Sequence, residues 1–361
     1  MGDDRLRMTP GPTEVPNAVR ERMAELTPNP DVEDEFVEFY RGLTGKLESV
    51  FGDDDVAVLG GEGILGLEAA VASLIEPNDR VLCISNGIYG DGFADFVELY
   101  GGEAVTCRSP STEPLDLEAI EETLEEGADD GGFDVATMVH CETPTGVLND
   151  IESVLDLLEE RHVLSVVDAV SSLGGTPVPT ERIDVCLGAS QKCFSAPPGL
   201  TVLSVSDRAW ERIEATETRS FYADLEPWRT AADEGWFPYT MPVSDLYALD
   251  AAIDLLLEEG LESVFDRHAE AARACRERTR EIGVAVYPES DDLASPTVTA
   301  LHLEGRAAEV QRRIEEEHDI VLSTGLGDLE DDILRVGHMG HNARLERVER
   351  TMGALEDVLD G

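Results

Sequence analysis

The amino-acid sequence predicts an α/β protein, in which a large domain with a seven-stranded, mostly parallel sheet is followed by a smaller α+β domain. Short β-branched runs alternate with amphipathic helical segments over residues 56–206, and beyond residue 240 a long helical region replaces this alternation. The 361 residues are 42% hydrophobic, which is enough for a sizeable core. We therefore expect an N-terminal arm (1–15), a large domain (16–245) and a small domain (246–361).

The strands of the large domain are predicted from short apolar runs that are rich in β-branched residues. Each run is followed by turn residues or by a segment with the helical period, which bounds its length. The seven runs are VAVL (56–59), VLCIS (81–85), EAVTC (103–107), VATMVH (135–140), VLSVVDAV (163–170), DVCLGAS (184–190) and LTVLSV (200–205).

Helices are predicted where apolar residues recur with the helical period and acidic residues occupy the outer face. In the large domain they fall at about 64–75, 91–100, 116–126, 151–160 and 207–217. Beyond residue 240 we expect a helical region at about 243–282 that breaks near Gly260, then strand-like runs around a helix at about 306–318, and a final helix. The Pro- and Gly-rich segment MTPGPTEVP predicts an extended N-terminal arm.

The composition excludes several classes of function. Seventy-seven acidic and 27 basic residues give a net charge of −50 that is spread along the chain, and such a surface repels nucleic acid and anionic membranes. No apolar run approaches the ~20 residues of a membrane span, so we expect a cytoplasmic protein. The six cysteines and seven histidines lack metal-ligand spacing, which predicts free thiols and no metal. An evenly acidic surface also supports the hypothesis of a halophilic origin.

Lysine is nearly absent from the chain, although it is normally among the commonest residues. Only Lys46 and Lys192 occur. Lys46 lies in a helix-like surface segment, whereas Lys192 follows an apolar strand in GASQKCFSAPPGL, where a charged amine is costly unless it has chemistry to perform. We therefore predict a functional role for Lys192; the alternative is a surface lysine that survived by chance.

Polar residues that directly follow strands mark the expected site, because ligands of open α/β sheets bind at the carboxyl ends of the strands. Asp168 follows the apolar run LSVV, so it needs a cationic partner such as a protonated pyridine nitrogen; a helix N-cap and a metal ligand are the alternatives. Gly61, Glu62 and Gly63 separate a strand from a helix, where backbone N–H groups can cradle a phosphate. A glycine turn also joins a strand to a helix without any ligand.

Eight motifs follow one another along nearly the whole chain: TPGPTEVP, GEGILGLEAA, NGIYGDGFAD, HCETPTGVLNDI, VVDAVSSLGGTPV, SQKCFSAPPGL, YTMPVSDLYAL and LRVGHMGH. In this order they resemble the class V, fold type I aminotransferases that depend on pyridoxal 5′-phosphate (PLP), and within them the alanine–glyoxylate and serine–pyruvate or serine–glyoxylate group. The resemblance implies transamination of alanine or serine with glyoxylate or pyruvate. It also implies a homodimer with active sites at the interface.

The resemblance assigns a role to each matching residue. Lys192 would hold the cofactor as a Schiff base and move a proton during the reaction, and Asp168 would keep the pyridine nitrogen protonated. Arg335 would bind the substrate carboxylate through two parallel hydrogen bonds, beside Gly11. The remaining residues would stack on the ring, lie near its phenolic oxygen or hold the phosphate: Tyr89, Thr143, Gln191, Gly61, Glu62, Gly63 and, from the other subunit, Thr240.

These residues also have ordinary structural alternatives. Tyr89 could be a turn aromatic, Thr143 and Thr240 could be loop hydroxyls, and Arg335 could be a surface arginine paired with one of the aspartates at 331 and 332. Taken together in one order, they favour the site over these separate explanations.

The sequence departs from the family pattern around the expected phosphate. Glu62 replaces a small hydroxyl residue, Ile64 replaces Thr or His, and Phe237 replaces Tyr. Rival predictions are an aminotransferase acting on another small amine, a cofactor-free binding protein, or a PLP-dependent lyase of the cysteine desulfurase type. The lyase needs a mobile cysteine late in the chain, and no cysteine follows Cys275.

Overall fold

The larger part of the protein is a sheet whose strands alternate with helices, as the sequence predicts. The structure is a computed structural model that describes residues 5–52, 55–128 and 131–361. The strands of the sheet are β1 (Asp55–Gly60), β2 (Arg80–Ser85), β3 (Glu103–Arg108), β4 (Val135–Val139), β5 (Leu164–Asp168), β6 (Val185–Ala189) and β7 (Leu200–Val205).

The strands lie in the spatial order β1-β7-β6-β5-β4-β2-β3. Strand β7 pairs antiparallel with β1 and β6, and the other pairs are parallel. The prediction of a seven-stranded, mostly parallel sheet is therefore confirmed. Strand β5 ends at Asp168, earlier than predicted, because the backbone N–H of Val170 donates to the Asp168 carboxylate at 2.8 Å instead of extending the strand.

Helices precede the first strand of the sheet, connect most of its strands and follow the last one. The sequence analysis did not predict the first two, although buried Phe36, Tyr40, Leu43 and Leu47 in the second recur with the helical period. The helices of this part are α1 (Asn17–Met23), α2 (Asp34–Phe51), α3 (Gly63–Leu74), α4 (Ile88–Tyr100), α5 (Leu117–Ala128), α6 (Glu152–Glu160), α7 (Asp207–Ala215) and α8 (Val243–Glu259).

The C-terminal part combines three helices with a small antiparallel sheet. The predicted helical region breaks at Gly260, whose φ of 85° favours glycine. The elements are α9 (Leu261–Glu281), α10 (Ala307–His318), α11 (Leu345–Asp360), β8 (Ala285–Val286), β9 (Thr299–His302), β10 (Ser323–Thr324) and β11 (Ile333–Val336). The strands lie in the order β8-β9-β11-β10.

Short elements complete the described chain. Leu6–Arg7 pairs in parallel with Ile320–Val321, and Cys141–Glu142 pairs antiparallel with Val147–Leu148. The remaining turns of helix are Thr180–Arg182, Glu226–Arg229, Ala231–Glu234, Asp291–Leu293, Gly327–Leu329 and Gly340–Asn342.

Two large hydrophobic clusters and one small cluster of four buried residues stabilise the described part of the protein. The first joins the seven-stranded sheet to its helices, including α8, and the second joins α9, α10 and α11 to the small sheet. Leu6 and Met8 of the N-terminal arm are buried in the second cluster, so the arm is anchored by packing as well as by pairing. The expected boundary between residues 245 and 246 falls inside α8, and the division into three parts stays a prediction. No helix in the described ranges is long and apolar enough to cross a membrane.

Candidate active site

A cavity of about 320 Å³ opens where the sheet strands β5 and β6 end. This is the edge at which ligands of open α/β sheets bind. The residues that line it come from segments far apart in the sequence, and they include Gly11, Glu62, Gly63, Tyr89, Thr143, Asp168, Gln191 and Lys192. The structure thus brings together most of the predicted site residues.

Lys192 lies on the turn after β6, with its side chain mostly buried. Its Nζ donates a hydrogen bond to the carbonyl oxygen of Pro10 at 2.8 Å. A Cβ atom at Gly11 would lie 2.4 Å from Lys192 Cδ, so the glycine gives the lysine room. Burial and, to a smaller extent, the positive charge of Arg335 lower the pKa of Lys192 to about 8, against the opposing effect of Asp168. A substantial fraction of this amine is therefore neutral near pH 8.

Asp168 is the last residue of β5 and is 5% exposed. Burial raises the pKa of its carboxyl to about 6, although the Val170 N–H and the nearby Lys192 both favour the charged form. None of the ion pairs among the described residues includes Asp168. A buried carboxylate without an ion-pair partner fits a cationic group of a ligand.

Glu142 is a buried acid at the site that the sequence analysis missed. It is 0% exposed, and its Oε1 accepts a hydrogen bond from the backbone N–H of Gly90 at 2.8 Å. Burial raises its pKa to about 7, against the hydrogen bonds from the backbone of Gly90 and Tyr89. Its carboxyl therefore fixes the start of α4, which carries Tyr89. Its position in HCETPTG, directly before Thr143 and just after a predicted strand, is the sequence feature that indicates a place at the site.

Arg335 lies on β11 and is 7% exposed. Its Nε donates to the carbonyl oxygen of Thr324 at 2.7 Å. Burial lowers the pKa of Arg335, whereas Tyr89 raises it. The alternative of a surface pair is wrong, because Asp331 and Asp332 accept backbone N–H groups instead. The guanidinium is thus buried close enough to Tyr89 and Lys192 to act on their pKa values.

The N-terminus of α3, where a phosphate was expected, carries a carboxylate. Glu62 caps this helix, and its Oε1 accepts a hydrogen bond from the Ile64 N–H at 3.3 Å. Its Oε2 lies 3.5 Å from Nε2 of Gln191, whose buried Oε1 lacks a hydrogen-bond partner among the described residues. Gly61 does not line the cavity. Its N–H donates to the carbonyl oxygen of Gly199 at 2.8 Å and is therefore not free to bind a phosphate.

The remaining predicted residues occupy different places. Thr143 lines the cavity, and its hydroxyl contacts that of Ser171. Thr240 does not reach the cavity of its own chain, since it is exposed and its hydroxyl donates to Asp31 Oδ2 at 3.0 Å. Phe237 packs in the core against aromatic neighbours and does not line the cavity.

All six cysteines are buried and none forms a disulfide, which confirms the prediction of thiols. Cys275 lies within α9, and its thiol contacts the Met352 sulfur at 3.7 Å. A thiol fixed inside a helix in this way cannot serve as the mobile cysteine of a desulfurase.

Known proteins share this fold and this order of residues. The family model for aminotransferase class-V matches residues 68–329. The chain belongs to the class V aminotransferases. It is 36% identical over 294 residues to a pyridoxamine–pyruvate transaminase of Mesorhizobium japonicum, covering 80% of this chain and 74% of that one. It is 31% identical to the alanine–glyoxylate aminotransferase of Rattus norvegicus, covering 84% and 74% of the two chains.

A solved structure agrees with this assignment. The crystal structure of a pyridoxamine-pyruvate aminotransferase from Mesorhizobium loti matches with a TM-score of 0.94 at 32% identity, covering 99% of this chain and 93% of that one. The predicted fold type I aminotransferase architecture is therefore confirmed. The protein is a PLP-dependent aminotransferase, and its family implies pyridoxal 5′-phosphate as the cofactor.

The residues of the cavity fit the two halves of this cofactor unequally. The mostly buried Lys192 amine and the Asp168 carboxylate fit the aldehyde and the pyridine nitrogen of the ring. The N-terminus of α3 fits a phosphate by its backbone, but the Glu62 carboxylate beside it opposes an anion. The disagreement is confined to the phosphate.

Proposed function

We propose that the protein transfers an amino group between a small amino acid, alanine or serine, and a small oxo acid, pyruvate or glyoxylate. The buried Arg335 guanidinium near the Lys192 amine carries this proposal, because that pair suits a substrate with a carboxylate next to its reacting carbon. The cavity of about 320 Å³ must hold both the ring and the substrate, which favours a small side chain.

The chain's own groups divide the work of the reaction. When bound, the cofactor supplies an aldehyde that captures the substrate amine and a ring that withdraws electrons from the substrate Cα. Lys192 takes the proton from that carbon and returns it, since its lowered pKa leaves part of the amine neutral. Asp168 would serve as the counter-charge of the pyridine nitrogen, Tyr89 would cover the ring, and Arg335 would orient the carboxylate.

Five further residues complete the proposed site. Thr143 would lie near the phenolic oxygen of the ring, and Gly11 beside the substrate. The backbone of Gly61 and Gly63 and the side chain of Gln191 would lie near the phosphate. Cavity contacts of Gly11, Gly63, Thr143 and Gln191 support these roles, whereas Gly61 contributes through the shape of the turn.

We also propose a homodimer in which Thr240 reaches the phosphate of the neighbouring subunit. Large aromatic side chains are exposed on the segment that leads to Thr240, with Phe221 at 66%, Tyr222 at 58% and Trp236 at 55%. Exposed aromatic groups of this size are typical of protein interfaces. The exposure of Thr240 in a single chain agrees with a role in trans.

Glu62 favours a second candidate function, in which free pyridoxamine donates the amino group to pyruvate and leaves as pyridoxal, with alanine as the other product. The phosphate of PLP carries about −1.5 to −2 charge and is repelled by the Glu62 carboxylate. The hydroxymethyl group of the unphosphorylated ring can instead donate a hydrogen bond to it. Ile64, which is 41% exposed, offers no polar side chain there. The name of the Mesorhizobium relative supports this candidate.

A half-reaction assay tests both candidates. Protein freed of bound vitamers is mixed with alanine or serine and either PLP or pyridoxal, and the oxo acid formed is measured. Oxo acid formation with PLP supports the first proposal, and its absence with PLP overturns that proposal. Faster formation with pyridoxal supports the second candidate, whereas faster formation with PLP overturns only that candidate.

Two proposals lie outside catalysis, a halophilic origin and a cytoplasmic location, and the acidic surface supports the first. Seventy-seven acidic residues against 27 basic ones repel one another unless dissolved ions screen them. Loss of the folded state on removal of salt is the expected result, and equal stability without salt would count against a halophilic origin.

A further inference from the structure

A second cavity, of about 270 Å³, lies beside the turn that carries Lys192. Cys193, Phe194 and Ser195 form one wall, helices α8 and α9 form another, and the segment 340–344 forms the third. Among the described residues, none lines both this cavity and the active site. The two are therefore separate sites next to one turn.

Two arginines line this cavity, and only one of them has an ion-pair partner among the described residues. Arg267 is neutralised by Glu259, whose carboxylate oxygens lie 2.6 and 3.1 Å from it. Arg344 is exposed and forms neither an ion pair nor a hydrogen bond through its guanidinium with the described residues. Burial, followed by the charges of Arg347, Arg344 and others, lowers the pKa of His341 to about 4, which agrees with a positive potential.

The cavity also has apolar lining residues. Phe194, Leu255, Leu256 and Val264 line it, and Leu255 remains 39% exposed. A cavity lined both by a guanidinium without an ion-pair partner and by aliphatic and aromatic side chains matches a ligand with a charged head and an apolar chain.

We propose that this cavity is a second ligand site, which binds a small organic carboxylate with its charged group on Arg344 and its apolar chain against Leu255 and Phe194. The ligand differs from the substrate because its carboxylate is held away from Lys192, and no chemistry occurs on it.

Ser195 links this site to the catalytic lysine. Its Oγ accepts a hydrogen bond from the His341 N–H at 2.8 Å, and its own N–H donates to the Lys192 carbonyl oxygen at 3.0 Å. The φ of Ser195 is 59°, a left-handed conformation that a serine adopts only when its contacts hold it. The Ser195 hydroxyl also forms a hydrogen bond with the Thr13 hydroxyl, at an Oγ–Oγ1 distance of 2.9 Å. A ligand that moves His341 therefore acts on the turn that carries Lys192, so the site is regulatory.

The test uses the full-length protein with bound cofactor and hexanoate as the probe, with acetate as a probe that lacks an apolar chain. Calorimetric titration should show one hexanoate site that persists in Arg335→Gln, which removes the substrate guanidinium. Arg344→Gln should weaken that site at least tenfold. Arg306→Gln is the matched control, because Arg306 is also exposed and has no ion pair among the described residues. Leu255→Ser should weaken hexanoate more than acetate.

Three results would overturn the proposal. The first is loss of all hexanoate binding in Arg335→Gln, and the second is an unchanged isotherm in Arg344→Gln. The third is a change of oligomeric state in Arg344→Gln, which light scattering would detect and which would make the cavity a contact between copies. For the regulatory role, hexanoate should shift the pH midpoint of the cofactor absorbance in Arg335→Gln, and an unchanged midpoint would overturn that role.

Discussion

Replacing Glu62 by glutamine should raise the affinity of the protein for PLP relative to pyridoxal. The Glu62 carboxylate lies at the N-terminus of α3, 3.3 Å from the Ile64 nitrogen, so it shares this helix end with any bound phosphate. Two unit charges ~4 Å apart repel by about 1 kcal/mol in water and by several times more near a protein surface. For a phosphate of about −1.5 to −2 charge the repulsion is about 2 kcal/mol or more, which corresponds to at least a tenfold change in the ratio of dissociation constants.

The assay is an absorbance titration of ring-free protein with PLP and with pyridoxal. Glu62→Gln keeps the size of the side chain, so the ratio of the two dissociation constants isolates the charge. The matched control is Glu68→Gln, which removes one charge from the same helix at a residue that accepts a hydrogen bond from the Tyr100 hydroxyl at 2.7 Å. Because salt screens exposed charges, the change should shrink as potassium chloride is added. An unchanged ratio in Glu62→Gln, or an equal change in Glu68→Gln, would refute the reasoning.

Four other predictions concern the same site. Lys192→Ala should abolish turnover and the cofactor spectrum, while Lys46→Ala keeps both. A Lys192→Ala protein with full turnover would refute the assignment of Lys192 as the residue that binds the cofactor. Arg335→Lys should raise KM for alanine far more than it weakens PLP binding, because a point charge replaces a planar fork; unchanged KM would assign the carboxylate to another residue. Thr240→Ala should weaken PLP binding by roughly tenfold, and hybrid dimers with Lys192→Ala should recover normal affinity at the site with the intact lysine. Hybrids without recovery would place Thr240 outside the partner's site. Glu142→Gln should gain about 3 kcal/mol of stability relative to the unchanged protein between pH 4.5 and pH 8. Burial raises the pKa of Glu142 from 4.5 in the unfolded chain to about 7 in the folded protein, so the unchanged protein loses stability as the pH rises through 7. Denaturant unfolding at both pH values measures this difference, and parallel pH profiles of the two proteins would contradict the buried acid.

The sequence by itself determined the strands, their helices and the two central residues of the site. Apolar β-branched runs separated by helical periods are local signals, so the sheet could be predicted without knowing any contact between distant segments. Lys192 and Asp168 could be found for the same reason, because each directly follows a strand-like run in which an unpaired charge is costly. Helix α2 carries a similar periodic pattern in Phe36, Tyr40 and Leu43, so this helix too is determined by the local sequence.

Only the tertiary structure decided which groups surround those residues and what that does to their charge. Glu142 follows a strand just as Thr143 does, yet its full burial and its raised pKa depend on α4 packing over it. Likewise, Arg335 lowers the pKa of Lys192 although 143 residues separate them in the chain. Burial and electrostatic coupling depend on distances in space, and a linear pattern of residues carries no record of those distances.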